Sequence, residues 1–552
     1  MADPQLVDPH TYPDRSWPLS SLTILYTDLY LRRSYRSLQD ILQPDATLFL
    51  GDLFDGGREW ATAKTSSPEQ RYQKYGTTFW LEEYIRFSNI FLRSWFSGPA
   101  ASVAEPWGRK LVASIPGNHD LGFAGGIQSA VKNRFDAFFG PLNHIQVIGN
   151  HSFVMLDTVS LSAMDQVDPK TGSSGAGDGS ALATASSKIW KPVEDFLVEA
   201  KGLRARAIRH ECQSRLDPGK QEPASPPFLP NVVSVFDLPP RSETAGIGPP
   251  PIRSSQFPTI VLSHVPLYRS ASTDCGPSRE RGSAIPLQAG YQYQNVLTPL
   301  ISQDIIKHLD AEEIAMVYSG DDHDYCEIEH NEFTGRIKEI TVKSMSWAMG
   351  VRVPGVQLVS LWNPVDMDKV LSNADLPPPN DTVQNQLCVL PDQLTIFIRY
   401  GQLLTVTLFL LAVRAARSQS GRKRWEPDKS TPLLPLTNDD PVNHRGSTTS
   451  QTSSVDGDHH HHHHLSTRKL GAYGNVAAAS RSSSPSYDDP FRPSSHTHIA
   501  SADADRIGGR FMHRSRWPRR HSPHSRAREF GSSIWQVAWP VLLLYAWLVW
   551  NG

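Results

Sequence analysis

Short apolar runs alternate with segments of helical periodicity through the first 365 residues of the chain. The runs that favour buried strands are Thr47–Leu50, Leu111–Ile115, Phe153–Leu156, Thr259–Leu262 and Ala315–Tyr318. The stretch "FWLEEYIRFSNIFLRSWF" (residues 79–96) has apolar positions at helical spacing, and a cation-rich helical segment covers residues 187–216. This alternation predicts one α/β domain over residues 1–365.

Composition predicts where this domain is interrupted and where it ends. Residues 163–186 and 217–258 are rich in Gly, Ser and Pro, so we predict surface insertions within about residues 163–258. The runs "EITVKSMSW" and "GVQLVSLW" predict a late pair of strands. Residues 366–393 follow them and are interpreted as a linker on the lumenal side of a membrane.

Two apolar stretches near the C-terminus are long enough to be membrane helices. They are residues 394–413, which include Arg399 and Gln402, and the tryptophan-rich residues 534–550. The alternative interpretation for either stretch is a buried core helix. Residues 414–533 are polar and of low complexity, so we predict a disordered loop. The His459–His464 run within it is interpreted as an inert tract rather than a metal site.

Basic residues predict the orientation in the membrane. They flank residues 414–533 on both sides: Arg414, Arg417, Arg422, Lys423 and Arg424 follow the first apolar stretch, and Arg514, Arg516, Arg519, Arg520, Arg526 and Arg528 precede the second. Positive flanks place the loop in the cytoplasm and the α/β domain in the lumen. The start "MADPQLVDPH" has no apolar signal segment, so we expect the true start to lie upstream and Asp3 to be weakly held as written.

Charge and cysteine content narrow the function classes. The chain has 54 Lys and Arg against 56 Asp and Glu, a net charge of −2, which argues against a general nucleic-acid binder. Its cysteines are Cys212, Cys275, Cys326 and Cys388, with no C-x-x-C pair, so no structural zinc site is indicated. Two disulfides could form in an oxidising compartment, with connectivity left open.

Metal-competent side chains follow four of the apolar runs. Asp52 lies in "GDLFDGG", Asn118 and His119 in "PGNHD", His264 after "TIVLS", and Asp321 and His323 in "GDDHD". Each motif alone is equally typical of a turn, a helix cap or a core histidine. The carboxyl ends of strands in an open α/β sheet form a shared crevice, however. A pair of divalent ions there would offset the repulsion among the carboxylates.

The motifs "GDLFDGG", "GNHD", "SHVPLYR" and "GDDHDYC" resemble those of the calcineurin-like metallophosphoesterases. More narrowly, "ADPQLVDPHTYP", "DLYLRRSYRSL", "CGPSRERG" and "GYQYQNVL" resemble the branch that removes ethanolamine phosphate from glycosylphosphatidylinositol (GPI) anchors. The resemblance covers roughly residues 1–365 and the C-terminal apolar stretches. It implies a four-layer αββα sandwich followed by transmembrane helices and a disordered loop.

The resemblance also implies a role for each matching residue. Asp52 would bridge two metals. Asp3 and His323 would bind the first metal, and Asn118, His264 and Asp321 the second. His119 would be the catalytic acid. Asp120 is grouped with it as catalytic and, with Asp55 and Gly56, would support the metal shell.

Two motifs depart from the general pattern of the superfamily. Asp3-Pro4-Gln5 replaces D-x-H, and Gly320-Asp321-Asp322-His323 replaces G-H-x-H. Oxygen ligands in place of imidazoles favour Mn²⁺ or Mg²⁺ over Zn²⁺. Gln5 would ligate through its amide oxygen, with His10 as an alternative. Arg269, Arg279 and Arg281 are expected to bind substrate phosphate or to be ordinary surface residues.

The resulting expectation is a hydrolase with two divalent ions, Mn²⁺ first and Mg²⁺ or Zn²⁺ as alternatives. Its substrate would be a GPI-anchored protein or GPI lipid at the endoplasmic reticulum or Golgi membrane. No nucleic-acid partner is expected, and the sequence does not determine the oligomeric state. One alternative is a phosphoesterase of the same fold acting on a phosphoprotein, nucleotide or lipid phosphate. The other is a lumenal Mn²⁺-binding protein without activity.

Overall fold

The computed structural model describes residues 1–93, 111–165, 187–216, 232–234, 252–290, 292–377, 379, 381–422 and 526–551. The predictions for residues 166–186, for His459–His464 and for most of the predicted loop fall outside these residues. The chain divides into two units, Met1–Leu411 with Ser533–Gly552, and Ala412–Ser532. The sheets and the candidate site belong to the first unit.

A mixed seven-stranded sheet forms the centre of the first unit. In spatial order its strands are β10 (Cys326–His330), β11 (Ile337–Thr341), β9 (Ile314–Ser319), β6 (Thr259–Ser263), β4 (His151–Leu156), β3 (His144–Ile148) and β5 (Val232–Ser234). The four central strands β11, β9, β6 and β4 run parallel, and the strands outside them pair antiparallel. The predicted α/β class is confirmed.

Three smaller sheets contain the remaining strands. β1 (Ala46–Phe49) and β2 (Leu111–Ser114) pair in parallel, whereas β12 (Gly355–Leu361) pairs antiparallel with β13 (Val383–Val389). A short hairpin joins β7 (Ala289–Gly290) and β8 (Tyr293–Gln294). The prediction of one late strand pair was wrong, because β11 belongs to the central sheet and β12 has its partner in β13.

An apolar layer lies between the central sheet and the smaller sheets. Ile260 and Leu262 of β6 contribute to it, together with Leu50 and Ile115, which directly follow β1 and β2. Val261, between them in β6, belongs instead to the large cluster that includes helical residues. This division follows from the two-residue period of a strand, which sends successive side chains to opposite faces.

The described residues form ten α-helices. They are α1 (Leu19–Leu42), α2 (Thr77–Phe87), α3 (Asn118–Leu121), α4 (Ser129–Phe139), α5 (Thr158–Leu161), α6 (Lys191–Leu216), α7 (Pro299–Leu309), α8 (Met367–Leu371), α9 (Gln393–Arg422) and α10 (Arg526–Asn551). The helix predicted at residues 79–96 is present as α2 and a following π-turn, Ser88–Leu92.

Two predicted domain boundaries need correction. The region interpreted as an insertion contains α6, which buries Val193, Leu197 and Ile208 in the large apolar cluster, and β5, which pairs with β3. The predicted linker, residues 366–393, contains α8 and the strand β13. The folded domain therefore extends past residue 365, because β12 requires β13 as its hydrogen-bonding partner.

One helix is a candidate membrane span. Among the described residues, only Gln393–Arg417 of α9 is long and apolar enough to cross a bilayer, and this segment lies outside the buried core. The second predicted span falls on α10, which is helical and contains Pro540. The membrane span at residues 534–550 therefore stays a prediction.

A buried ion network stabilises the central sheet. The guanidinium Nη2 of Arg269 lies 2.7 Å from the Oε2 of Glu339 on β11, and His330 Nε2 lies 2.6 Å from the same oxygen. Burial alone would favour the neutral acid, but Arg269 and His330 hold the pKa of Glu339 down to about 2. The hydroxyl of Ser319 donates to the other carboxylate oxygen at 2.6 Å.

Arg269→Met is expected to destabilise the domain by about 3–5 kcal/mol, because it leaves the Glu339 carboxylate buried without its main counter-charge. Lys201→Met is the control, since Lys201 and Asp310 form an exposed pair worth about 0–1 kcal/mol. Denaturant unfolding of the detergent-solubilised protein, followed by circular dichroism, measures both. Equal losses in the two variants would contradict a structural role for the network.

Candidate metal centre

The candidate ligands stand where strands of the two sheets end. Asp52 follows β1, Asn118 begins the short α3 after β2, and His264 follows β6. Asp321 and His323 follow β9. These strand ends meet at one edge, as open α/β sheets require of a binding crevice. The strand-end pattern in the sequence thus corresponds to one location in the fold.

The N-terminal segment is anchored at the same edge. Ala2 forms a parallel bridge with Ser344, whose hydroxyl also donates to the carbonyl of Asp3 at 2.8 Å, and Leu6 forms a bridge with Phe54. Asp3 is fully buried. The expectation that Asp3 would be weakly held was therefore wrong in this fold, because the segment is hydrogen-bonded on both sides.

His264 lies at the centre of the candidate site. Its Nε2 is 3.1 Å from Oδ1 of Asn118 and 3.5 Å from an oxygen of each of Asp52 and Asp321. Its Nδ1 is 2.6 Å from the carbonyl oxygen of Leu50. A carbonyl only accepts, so Nδ1 carries a proton, and Nε2 is the ring nitrogen directed toward the oxygens of the site.

The same anchoring recurs at the two other predicted histidines. Nδ1 of His323 donates to the carbonyl of Met349 at 3.2 Å, and Nδ1 of His119 donates to the carbonyl of Asp55 at 2.6 Å. In metal sites a ligating histidine commonly donates its second ring nitrogen to a carbonyl, which fixes the tautomer. His264 and His323 are therefore prepared to ligate through Nε2.

Two buried oxygens at the site have no hydrogen-bond donor among the described residues. They are Oδ2 of Asp3 and Oε1 of Gln5. The amide nitrogen of Gln5 donates to Oδ2 of Asp52 at 3.0 Å, which leaves its oxygen as the unpaired end. Buried acceptors without a partner are costly, and a cation would satisfy both. The donor set of carboxylates, amide oxygens and imidazoles suits divalent metals.

The ionisation of the site reflects the same crowding. Burial, the largest influence on His264, lowers its pKa, but Asp52, Asp321 and Asp3 outweigh it and raise the pKa well above the ordinary value. Burial raises the pKa of Asp3 well above its ordinary range, although His264 opposes the shift. Burial lowers the pKa of His323. Without a cation, the buried carboxyl of Asp3 therefore favours its protonated form.

Two groups of side chains among the described residues could each hold a metal ion. In the first, ligand atoms of Asp3, Asp52 and His264 all lie within 4.8 Å of one another. The second consists of His10, Asp55 and His119. His10 Nδ1 lies 2.9 Å from Oδ2 of Asp55, and His119 Nδ1 lies 3.4 Å from its Oδ1. The sequence suggested His10 only as a substitute for Gln5, so this second grouping was missed.

The carboxylate of Asp120 is occupied by the backbone. It accepts N–H groups from Leu53 at 3.0 Å, Phe54 at 3.2 Å and Gly117 at 2.9 Å, and its side chain is buried. Burial and the nearby Asp52 raise its pKa to about 7. Asp120 thus holds the loops after β1 and β2 together.

Five candidate ligands have left-handed backbone conformations. They are Asp3 (φ 45°), Gln5 (φ 32°), Asp52 (φ 51°), Asp321 (φ 66°) and His323 (φ 66°). Such conformations cost non-glycine residues about 1–3 kcal/mol each and persist where the surrounding structure enforces them. Their concentration at one edge is typical of a functional site.

The acidic run Asp321–Asp324 divides its charges between two environments. Asp321 faces the candidate site, whereas Asp322 forms an ion pair with Arg279 at 2.5 Å and Asp324 one with Lys343 at 2.9 Å. Alternate residues are thus neutralised by cations, which limits the repulsion that a metal would have to offset.

The three predicted substrate arginines differ in location. Arg269 is buried in the ion network with Glu339, which contradicts the predicted substrate-binding role. The Arg279 side chain is 4% exposed and paired with Asp322, so its positive charge is neutralised by that carboxylate. Arg281 is exposed and lies against Gly350, next to the carbonyl that anchors His323.

Two supporting residues were not identified from the sequence. The backbone carbonyl of Gln292 accepts the Asn118 side-chain amide at 2.9 Å, which turns Oδ1 of Asn118 toward His264. The guanidinium of Arg58 donates to the Asn118 carbonyl at 3.1 Å. Gln292 lies within the motif "GYQYQNVL", and Arg58 directly follows "GDLFDGG". Their closeness to these motifs is the feature of the sequence that could have identified them.

No family model matches the chain. The chain is similar to Cell division control protein 1 of Saccharomyces cerevisiae, with 33% identity over 396 residues, 71% of this chain and 60% of the yeast protein. It is also similar to Metallophosphoesterase 1 of Pongo abelii (25% over 324 residues, 57% of this chain and 58% of that protein) and of Gallus gallus (26% over 324 residues, 57% and 58%). The chain thus spans less than two thirds of the length of these relatives.

A solved structure was also found to be similar. It is a dimetal phosphatase from Danio rerio, matched over 65% of this chain and 93% of its own with 14% identity and a TM-score of 0.27.

Gly117→Ala is expected to lower metal affinity about 10–100-fold, as other changes behind metal ligands do. The new Cβ would lie 2.0 Å from Oδ1 of Asp52 and would displace that carboxylate. Gly202→Ala is the control, because nothing lies within 4 Å of the added methyl. Calorimetric titration with Mn²⁺ measures affinity and circular dichroism verifies folding. Unchanged affinity in folded Gly117→Ala would remove Asp52 from the metal site.

Proposed function

We propose that this chain, which is similar to Cell division control protein 1 and Metallophosphoesterase 1, is a metal-dependent phosphodiesterase that removes ethanolamine phosphate from a mannose of GPI anchors. One observation carries the proposal: three carboxylates converge on His264, while Asp3 and Gln5 present buried oxygens that have no donor in the described part of the chain. His119 lies beside them, because its backbone N–H donates to Oδ1 of Asp52 at 2.8 Å.

The proposed ligands form two groups that share Asp52. Asp3, His323 and the amide oxygen of Gln5 would hold one ion, and Asn118, His264 and Asp321 the other. The predominance of oxygen donors favours Mn²⁺, with Mg²⁺ or Zn²⁺ as alternatives. Divalent ions bound there would supply Lewis-acid stabilisation of the charge that develops during phosphoryl transfer.

His119 is proposed as the proton donor to the departing mannose oxygen. Its Nδ1 is committed to the carbonyl of Asp55, so Nε2 is the nitrogen available for transfer. The carboxylate of Asp55, held on its other side by His10, lies 3.4 Å from Nδ1 of His119 and helps to fix the orientation of its ring. Asp120 positions the loops, and Arg281 is the remaining candidate for contact with substrate phosphate.

The membrane part of the proposal has separate support. α9 contains a candidate span, and "CGPSRERG" and "GYQYQNVL" resemble motifs of the branch that acts on lipid-anchored glycans. Cys275 and Cys326 form a disulfide, which is typical of oxidising compartments. We propose a lumenal catalytic domain on the endoplasmic reticulum or Golgi membrane, with spans at residues 394–413 and 534–550 and a cytoplasmic loop between them. A helix–sheet–sheet–helix layering accords with the apolar layer between the sheets.

The experiment that tests this function compares substrates on the purified full-length protein loaded with Mn²⁺. GPI precursors bearing ethanolamine phosphate should lose it, with far slower hydrolysis of nucleotides and phosphoproteins. His119→Ala should lower turnover about 10²–10⁴-fold through loss of the general acid. His308→Ala on α7 is the matched control and should retain turnover, because this histidine pairs with Asp304 of its own helix.

Preferred hydrolysis of nucleotides, phosphoproteins or other lipid phosphates would replace the GPI assignment with another phosphoesterase activity. Absence of hydrolysis of every substrate, including a generic aryl phosphodiester, by protein that binds Mn²⁺ would indicate a metal-binding protein without activity. Full turnover in His119→Ala would remove that residue from the mechanism.

A further inference from the structure

A groove separate from the metal centre lies between α1 and the beginning of α9. Its volume is about 580 Å³, within the range of about 300–1,000 Å³ that is usual for small-molecule sites. The lining is mostly apolar and aromatic. It includes Tyr26, Leu29 and Ile41 of α1 and Ile396, Phe397 and Tyr400 of α9.

The groove is continuous with the candidate membrane span. Its α9 wall is formed by the first turns of the segment Gln393–Arg417. The domain holds this end of α9 in place, because the hydroxyl of Tyr30 donates to the carbonyl of Pro391 at 3.0 Å and Arg352 pairs with Asp392 at 2.8 Å. A bilayer crossed by α9 would therefore begin where the groove opens.

Apolar side chains on the same helix as the groove wall are exposed to solvent. Trp17 is 80% exposed, Leu19 59% and Leu22 42%, at or just before the beginning of α1. Leu19, Leu22, Tyr26 and Leu29 follow helical spacing along α1. Aromatic and leucine side chains in this arrangement are typical of a helix that lies in a membrane interface.

Positive charge stands beside the apolar lining. Arg33 lines the groove and is exposed, and Arg36 is exposed one turn further along α1. A guanidinium at the edge of an apolar groove is complementary to a lipid phosphate whose chain enters the groove. Basic residues at a membrane surface also attract anionic lipid.

We propose that this groove binds an acyl chain of an anionic phospholipid from the leaflet facing the domain, with the lipid phosphate at Arg33. The bound lipid would fix the orientation of the α/β domain on the bilayer surface. This inference depends on α9 entering a bilayer and does not depend on the chemistry at the metal centre.

The test uses the full-length protein in nanodiscs that contain phosphatidylcholine and phosphatidylglycerol with a photoreactive acyl chain on one or the other. After irradiation, lipid adducts should map by mass spectrometry to α1 and to the first turns of α9. Ser37→Trp, which fills the groove from its lining, should lower these adducts about tenfold, as expected for a loss of about 1.4 kcal/mol. Ser21→Trp, at an exposed α1 position outside the lining, should leave them unchanged.

A second experiment tests whether Arg33 binds the headgroup of the lipid. Arg33→Glu should lower phosphatidylglycerol adducts more than phosphatidylcholine adducts, because both lipids carry a phosphate but only phosphatidylglycerol has a net negative charge; Arg36→Glu is the control. An equal fall for both lipids would overturn the assignment of an anionic lipid, and no fall for either would overturn the phosphate contact at Arg33. Adducts confined to α9 beyond Tyr400, or groove adducts unaffected by Ser37→Trp, would overturn the lipid site. Cross-links from a photoreactive residue at position 37 to another part of this chain or to a second copy would do so as well.

Discussion

The repulsion among Asp3, Asp52 and Asp321 around the buried His264 is the constraint on which the candidate site depends. Carboxylates taken out of water at such short range repel one another strongly unless a cation lies among them. The pKa of His264 rises against the effect of its own burial, which shows how strong the local negative field is. The oxygens of Asp3 and Gln5 that find no donor among the residues the structure describes mark where a positive charge would be stabilised.

The surrounding fold is arranged to keep these groups in place despite that repulsion. Asp120 ties the loops after β1 and β2 together through backbone N–H groups, and Gly117 allows the Asp52 carboxylate to approach the next loop. Left-handed conformations at Asp52 and Asp321 add strain that the sheets must compensate. Stability elsewhere, such as the Glu339 network in the central sheet, permits this cost at the site.

Much of the site could be predicted because strands have a simple signature. Apolar runs located β1, β2, β6 and β9, and parallel strands deliver the residues that follow them to one edge. The directions in which the side chains of Asp321–Asp324 point could not be predicted from the sequence. It depends on positive φ at Asp321 and His323 and on the distant cations Arg279 and Lys343.

The remaining incorrect predictions have one cause: they depend on contacts between segments that are far apart in the sequence. β12 pairs with β13 rather than with the strand before it, and α6 packs on the sheet although its flanks have the composition of insertions. An arginine such as Arg269 is a residue type that commonly binds phosphate. In the fold, however, its ion pair with Glu339 buries it in the core. Local sequence does not contain these contacts.

The most direct test of the account is anomalous scattering from crystals of the Mn²⁺-loaded protein, collected at the manganese absorption edge. The account predicts two manganese ions at the sheet edge, both in contact with Asp52, with His264 beside one and His323 beside the other. Ions bound only among His10, Asp55 and His119, or no ion near Asp52, would contradict it.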